Sequence, residues 1–145
     1  MTKSLPSFAK ALHAAHEALA AGLRKLEEFS HGDSTESGLA ALRARLGAQR
    51  IHLAEHFRFE EQGGYMETVR AREPRLERTI QQLGGEHALL MASLERLIEH
   101  ARAASTLDDE LREQVRTWID SVRAHEAREN ELVQTTFNQD LTAED

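Results

Sequence analysis

His56-Phe57-Arg58-Phe59-Glu60-Glu61 places an imidazole and a carboxylate four residues apart. In a helix that interval is little more than one turn, with about 6 Å of axial rise, so His56 and Glu60 share a face. Backwards from His56 the same face carries Leu53, Gln49, Leu46, Leu42 and Leu39, in steps of 3 and 4. That is the inward seam of an amphipathic helix, predicted over about 37–62, whose second half turns from leucine to potential ligands. Gly63-Gly64 weakens or ends it, and Tyr65 and Met66 follow in a connection able to fold back over the end of a bundle.

Three more seams of this kind flank it. Leu12, His16, Leu19, Leu23 and Leu26 predict a helix over about 5–29, closed by the turn Ser30-His31-Gly32-Asp33-Ser34. Leu76, Ile80, Leu83, His87, Leu90, Leu94, Leu97 and Ala101 predict another over about 74–103. Gly84-Gly85 within it is read as a kink or a place of close backbone packing. Leu111, Val115, Trp118, Val122, His125, Glu129 and Leu132 predict the last, over about 107–137, with Thr106 as N-cap and acidic residues in the first turn. Beyond Phe137 the tail is polar and reads as frayed.

Composition agrees. Ala, Leu, Glu and Arg dominate, aromatics make up only 5% of the chain, and no alternating apolar pattern marks a strand. The class is all-α, and 145 residues suffice for one domain, 1–145, with a single core. A net charge of −7, with acidic residues interleaved among the arginines, argues against a nucleic-acid partner. The lack of cysteine excludes disulfides, iron–sulfur clusters and thiolate zinc sites. His13, His16 and Glu17 interrupt any signal-peptide core, and no apolar run approaches the roughly 20 residues of a membrane span. A soluble cytoplasmic protein with no membrane partner is expected.

The seams also repeat. His16 is followed by leucines at +3, +7 and +10, and His87 by leucines at the same offsets. His56 lies 40 residues after His16, and His125 lies 38 after His87. Each half therefore reads His, then His-x-x-x-Glu one helix later. Two helical hairpins related by an approximate two-fold axis would bring four histidines and two glutamates together, the pattern of a carboxylate-bridged metal pair. A lone histidine on an apolar seam is usually a core residue with one hydrogen bond. Four of them with two carboxylates would cost several kcal/mol to bury without a metal, unless all were mutually paired. His16, His56, Glu60, His87, His125 and Glu129 are the candidate metal ligands. His52, one turn before His56, extends the ligand row or serves as an outer partner, and His13 replaces His16 if the register is shifted. Glu61 and Glu86 adjoin ligands but fall off the seam, as surface or outer-partner residues. Phe57 and Trp118 read as packing residues, and Phe59 as packing or as a limit on access to the site.

His16 with its leucines, His56-Phe57-x-x-Glu60-Glu61, Glu86-His87 and His125-Glu126-x-x-Glu129 resemble the hemerythrin-like (HHE cation-binding) family. The final Phe137-Asn138-Gln139-Asp140-Leu141 is similar to the end of some bacterial members. The resemblance covers nearly the whole chain and implies an up-down four-helix bundle of hemerythrin type. It also implies two non-haem iron ions with carboxylate and oxo bridges. His16 and His56 would bind one, His87 and His125 the other, and Glu60 and Glu129 would bridge them. Mixed imidazole and carboxylate ligation suits iron, with manganese and zinc also compatible.

One departure bears on function. Oxygen-carrying hemerythrins have a second histidine four residues away on the third helix, where Leu83 and Met91 stand here, and a longer spacing to Asp on the fourth. One histidine fewer, unless His52 joins, speaks against simple reversible oxygen storage and leaves room for exogenous ligands. The expected activity is reaction with O2, peroxide or nitric oxide, in sensing, scavenging or carriage. Its rivals are a di-iron oxidoreductase, such as a peroxide-removing enzyme, and a metal-free helical interaction module. Tyr65, Glu61 and His52 are each open candidates to complete the site.

Overall fold

The computed structural model describes residues 5–144. Its four long helices are α1 (Leu5–Ser30), α2 (Glu36–Glu61), α4 (Glu77–Ala103) and α5 (Asp109–Glu144). A short helix, α3 (Tyr65–Arg72), and a 3-10 turn (Pro74–Leu76) connect α2 to α4. Each long helix packs on two others: α1 on α2 and α5, and α4 on α2 and α5. Among the described residues α1 and α4 lie diagonally opposite, as do α2 and α5. With short connections at 31–35 and 104–108, this is an up-down four-helix bundle of the expected hemerythrin type. No described helix is long and apolar enough to cross a membrane.

The seams form the interior in two stretches. Leu19, Leu23, Leu42, Leu46, Leu53, Leu94, Leu97, Leu111 and Trp118 belong to the larger cluster. Leu12, Tyr65, Met66, Val69, Ile80, Leu83, Leu132 and Val133 form a smaller one toward the other end. Two arginines fasten the closed end of the bundle. Arg112 Nη1 donates to the carbonyls of Ser30 and Gly32, both at 2.8 Å. Arg43 donates to those of Ala101 and Ala104, at 2.7 and 2.8 Å. Trp118 satisfies its indole N–H on the Leu90 carbonyl at 3.0 Å, which lets a polar aromatic sit in the core.

The opposite end depends on Gly63-Gly64. Gly63 ends α2 with φ +75°, where a side chain is strained. A Cβ on Gly64 would lie 2.3 Å from the Phe59 carbonyl oxygen. This turn releases the chain directly after Glu61 and lays α3 across the bundle end, burying Tyr65, Met66 and Val69. Gly84 and Gly85 differ from expectation, for α4 runs through them and their missing side chains would meet nothing within 4 Å. The cap of α5 is Asp108 rather than Thr106, with the Leu111 N–H donating to Asp108 Oδ1 at 2.8 Å. Leu107, fully buried, anchors the chain in the core and delays the helix start by two residues. The polar tail read as frayed continues α5 to Glu144.

Candidate metal centre

Four helices contribute one histidine each, and its position between buried neighbours decides its direction. His16 lies between Leu12 and Leu19, His56 between Leu53 and Glu60, His87 between Leu83 and Leu90, His125 between Val122 and Glu129. Burying the leucines and Val122 turns the imidazoles inwards with them. Phe57 fixes one ring further, stacked on His87 at 3.8 Å with 10° between planes. All six candidate ligands are buried, and Glu60, His125 and Glu129 are 0% exposed.

The inward atoms are the four Nε2 nitrogens and the four carboxylate oxygens. His16 Nε2 lies 3.2 Å from Glu60 Oε2 and 3.4 Å from Glu129 Oε1. His56 Nε2 is 3.3 Å from Glu60 Oε2. His87 Nε2 is 3.2 Å from Glu60 Oε1 and 3.4 Å from Glu129 Oε2, and His125 Nε2 is 3.2 Å from Glu129 Oε1. Of these contacts His16 Nε2–Glu60 Oε2 is a hydrogen bond, and all are longer than the roughly 2.7–2.9 Å of a charge-assisted one. The Nε2 atoms of His56, His87 and His125 and Oε1 of both glutamates are buried without a hydrogen bond. Orphaned buried donors and acceptors facing one another are what a bound cation would satisfy. They form two groups, His16/His56/Glu60/Glu129 and Glu60/His87/His125/Glu129, with ligand atoms in each within 4.8 Å of one another. Both carboxylates belong to both groups. Imidazole nitrogen and carboxylate oxygen without thiolate fit a transition-metal ion such as iron, manganese or zinc.

Without an ion the cluster is held by its own charges. Burial alone would lower the pKa of His16 and His87, but the Glu129 and Glu60 carboxylates outweigh it and push each up to about 10. His125 is raised in the same way, burial being overcome chiefly by Glu129. Burial would raise Glu60 and Glu129, yet the surrounding imidazoles hold both well below the usual carboxylate range.

A second ring of partners sets the outward nitrogens. His125 Nδ1 donates to Glu86 Oε1 at 2.7 Å, and Arg128 Nη2 holds the same oxygen at 2.6 Å. His16 Nδ1 donates to Asn130 Oδ1 at 2.9 Å. His87 Nδ1 lies 3.2 Å from Glu61 Oε2, out of line for a hydrogen bond. Tyr65, buried on α3, donates its hydroxyl proton to Glu129 Oε2. Burial and the Glu129 and Glu60 charges raise its pKa, so it stays protonated.

His13 is exposed and near Glu17, so His16 is the inward residue of α1. His52 is half-buried, outside both groups, and turned toward Gly22, 3.5 Å from where its Cβ would be. Burial lowers the His52 pKa, and His56 and Arg45 lower it further. Glu61 and Glu86 are outer partners of imidazoles, and Phe59 is 42% exposed on the solvent side of α2. Asn130 and Glu126 were not anticipated. Glu126 is buried beside the cluster, where desolvation raises its pKa. Asn130, next in sequence to Glu129, carries no periodic signal, because it touches the edge of His16 rather than the core.

The bundle and the cluster together define a helical cation-binding protein. The chain belongs to the hemerythrin HHE cation-binding domain family, whose model matches residues 7–137. No significant match to a curated protein or to a solved structure accompanies it.

Proposed function

We propose that this protein holds two non-haem iron ions in the cluster and reacts in its reduced form with dioxygen, peroxide or nitric oxide, in sensing, scavenging or carriage. One observation carries the reading: two groups of two histidines share both buried glutamates. His16 and His56 would hold one ion, His87 and His125 the other, with Glu60 and Glu129 reaching both. When bound, such ions supply open positions for a small ligand and electrons for its reduction.

The chain's own residues prepare that chemistry. Leu12, Leu53, Leu83 and Leu90 are buried within one turn of the imidazoles, and Phe57 lies against the rings of His56, His87 and His125, so the surroundings are apolar. Glu86 and Asn130 accept from the Nδ1 protons of His125 and His16, which fixes the tautomer and leaves the Nε2 lone pairs inwards. Tyr65 holds the Glu129 carboxylate by a hydrogen bond and keeps a proton beside the site.

An oxidoreductase is the second reading. It is favoured by the ligand count, since six side chains serve two ions while apolar Leu83 and Met91 occupy the neighbouring turns of α4. Absorption spectra of the anaerobic ferrous protein, before and after air, hydrogen peroxide and nitric oxide, test the proposal. New charge-transfer bands with at least one of them are expected. Unchanged spectra with all three would overturn it, and catalytic loss of peroxide would select the enzymatic reading.

A further inference from the structure

The two half-sites have the same ligand composition: two histidines and the two shared glutamates. Identical ligand sets give two ions no reason to be held unequally, but the second ring of partners is not identical. On the side of α4 and α5, His125 donates to the Glu86 carboxylate at 2.7 Å, which the half-exposed Arg128 pins in place. His87 has the Glu61 carboxylate 3.2 Å from its Nδ1, near in charge but without a hydrogen bond. On the side of α1 and α2, His16 donates to Asn130, a neutral amide, at 2.9 Å. An imidazole whose outer N–H meets a carboxylate is the more basic ligand through its other nitrogen, because the carboxylate takes up the positive charge that metal binding puts on the ring. Tyr65 does not sort the half-sites, since it bonds Glu129, which serves both. Glu126 lies within electrostatic reach of His16 and His56 but has no hydrogen bond to either ring among the described residues.

We propose that this outer ring makes the centre unequal: the His87/His125 half-site, backed by the Glu86 carboxylate on His125, fills first and holds its cation more tightly. The His16/His56 half-site, backed by Asn130, fills second and empties first. Glu86 and Asn130 are thus positioning residues that act through the imidazoles. The inference rests on the two-metal reading above.

Anaerobic titration of the metal-free protein with Co2+ against a competing chelator tests it, since Co2+ absorption reports the ligands while the ion undergoes no redox change. Two steps of different affinity are expected, with His16→Ala removing only the weaker. Glu86→Gln should weaken the tighter step by roughly 10- to 100-fold and spare the other. Asn130→Asp should tighten the weaker step and narrow the gap, an opposite shift that loss of structure cannot produce. Two equal steps in the unaltered protein, or a Glu86→Gln effect spread over both, would overturn the proposal. Failure to take up Co2+ at all would overturn the two-metal reading itself.

Discussion

Loading the metal-free protein with a divalent cation at pH 7.5 is expected to release at least two protons per chain. Glu60 and Glu129 are 0% exposed and held as carboxylates by the imidazoles around them. Two buried negative charges call for two positive ones nearby, and His16 and His87, each pushed up to about 10, supply them as imidazoliums. Coordination needs neutral imidazole, so both protons must leave when ions enter. Displacing a proton held at about 10 into solution at pH 7.5 costs roughly 3 kcal/mol, so proton competition is a sizeable part of the binding free energy. The product of the two binding constants should accordingly rise at least about a hundredfold for each pH unit between about pH 7 and 9. Calorimetric titration with Co2+ in two buffers of different ionisation enthalpy counts the protons directly. No net release at pH 7.5, or a binding constant flat across that range, would refute the charge assignment.

Glu60→Ala and Glu129→Ala should each disturb both metals, whereas His16→Ala disturbs mainly one; normal stoichiometry and spectra in the glutamate variants would contradict the bridging role. Tyr65→Phe removes a hydrogen bond to a buried charge and should lower stability by about 1.5–3 kcal/mol, read by denaturant unfolding, and an unchanged midpoint would count against that bond. The metal-free protein should be most stable between about pH 5 and 9 in thermal melts. His16 and His87, with raised folded pKa, contribute fully below about 6.5 and lose that contribution as pH rises through about 10. Glu60 and Glu129, with depressed folded pKa, contribute above about 4.5 and lose theirs as pH falls. A melting temperature still rising beyond pH 10 would refute the first half of that sign.

The leucine seams made the four long helices legible, because steps of 3 and 4 admit no other regular structure and each seam held its histidine in place. The cluster was legible through repetition, His followed by His-x-x-x-Glu in both halves, which local spacing alone would not have distinguished from core histidines. What escaped depends on contacts across the bundle. α3 offers only Tyr65, Met66 and Val69 for burial, too few for a periodic signal, and it forms because the Gly63-Gly64 turn lays it on the bundle end. The bond from His16 to Asn130 joins residues 114 apart in sequence, and that from His125 to Glu86 joins residues 39 apart. Glu86 was legible as a candidate outer partner, but no sequence pattern names His125 as its mate or Asn130 as that of His16, because the register between helices is set by core packing. The Asp108 cap escaped for a similar reason, being fixed by the burial of Leu107 beside it.

The central claim is that the six buried side chains form a two-ion centre, and counting iron in reconstituted protein tests it most directly. Protein purified without a chelating tag, incubated anaerobically with ferrous iron and freed of excess, should retain close to two irons per chain, as two ligand groups sharing both glutamates require. A content near zero after reconstitution would show that the imidazoles and carboxylates only neutralise one another, and the metal reading would fall.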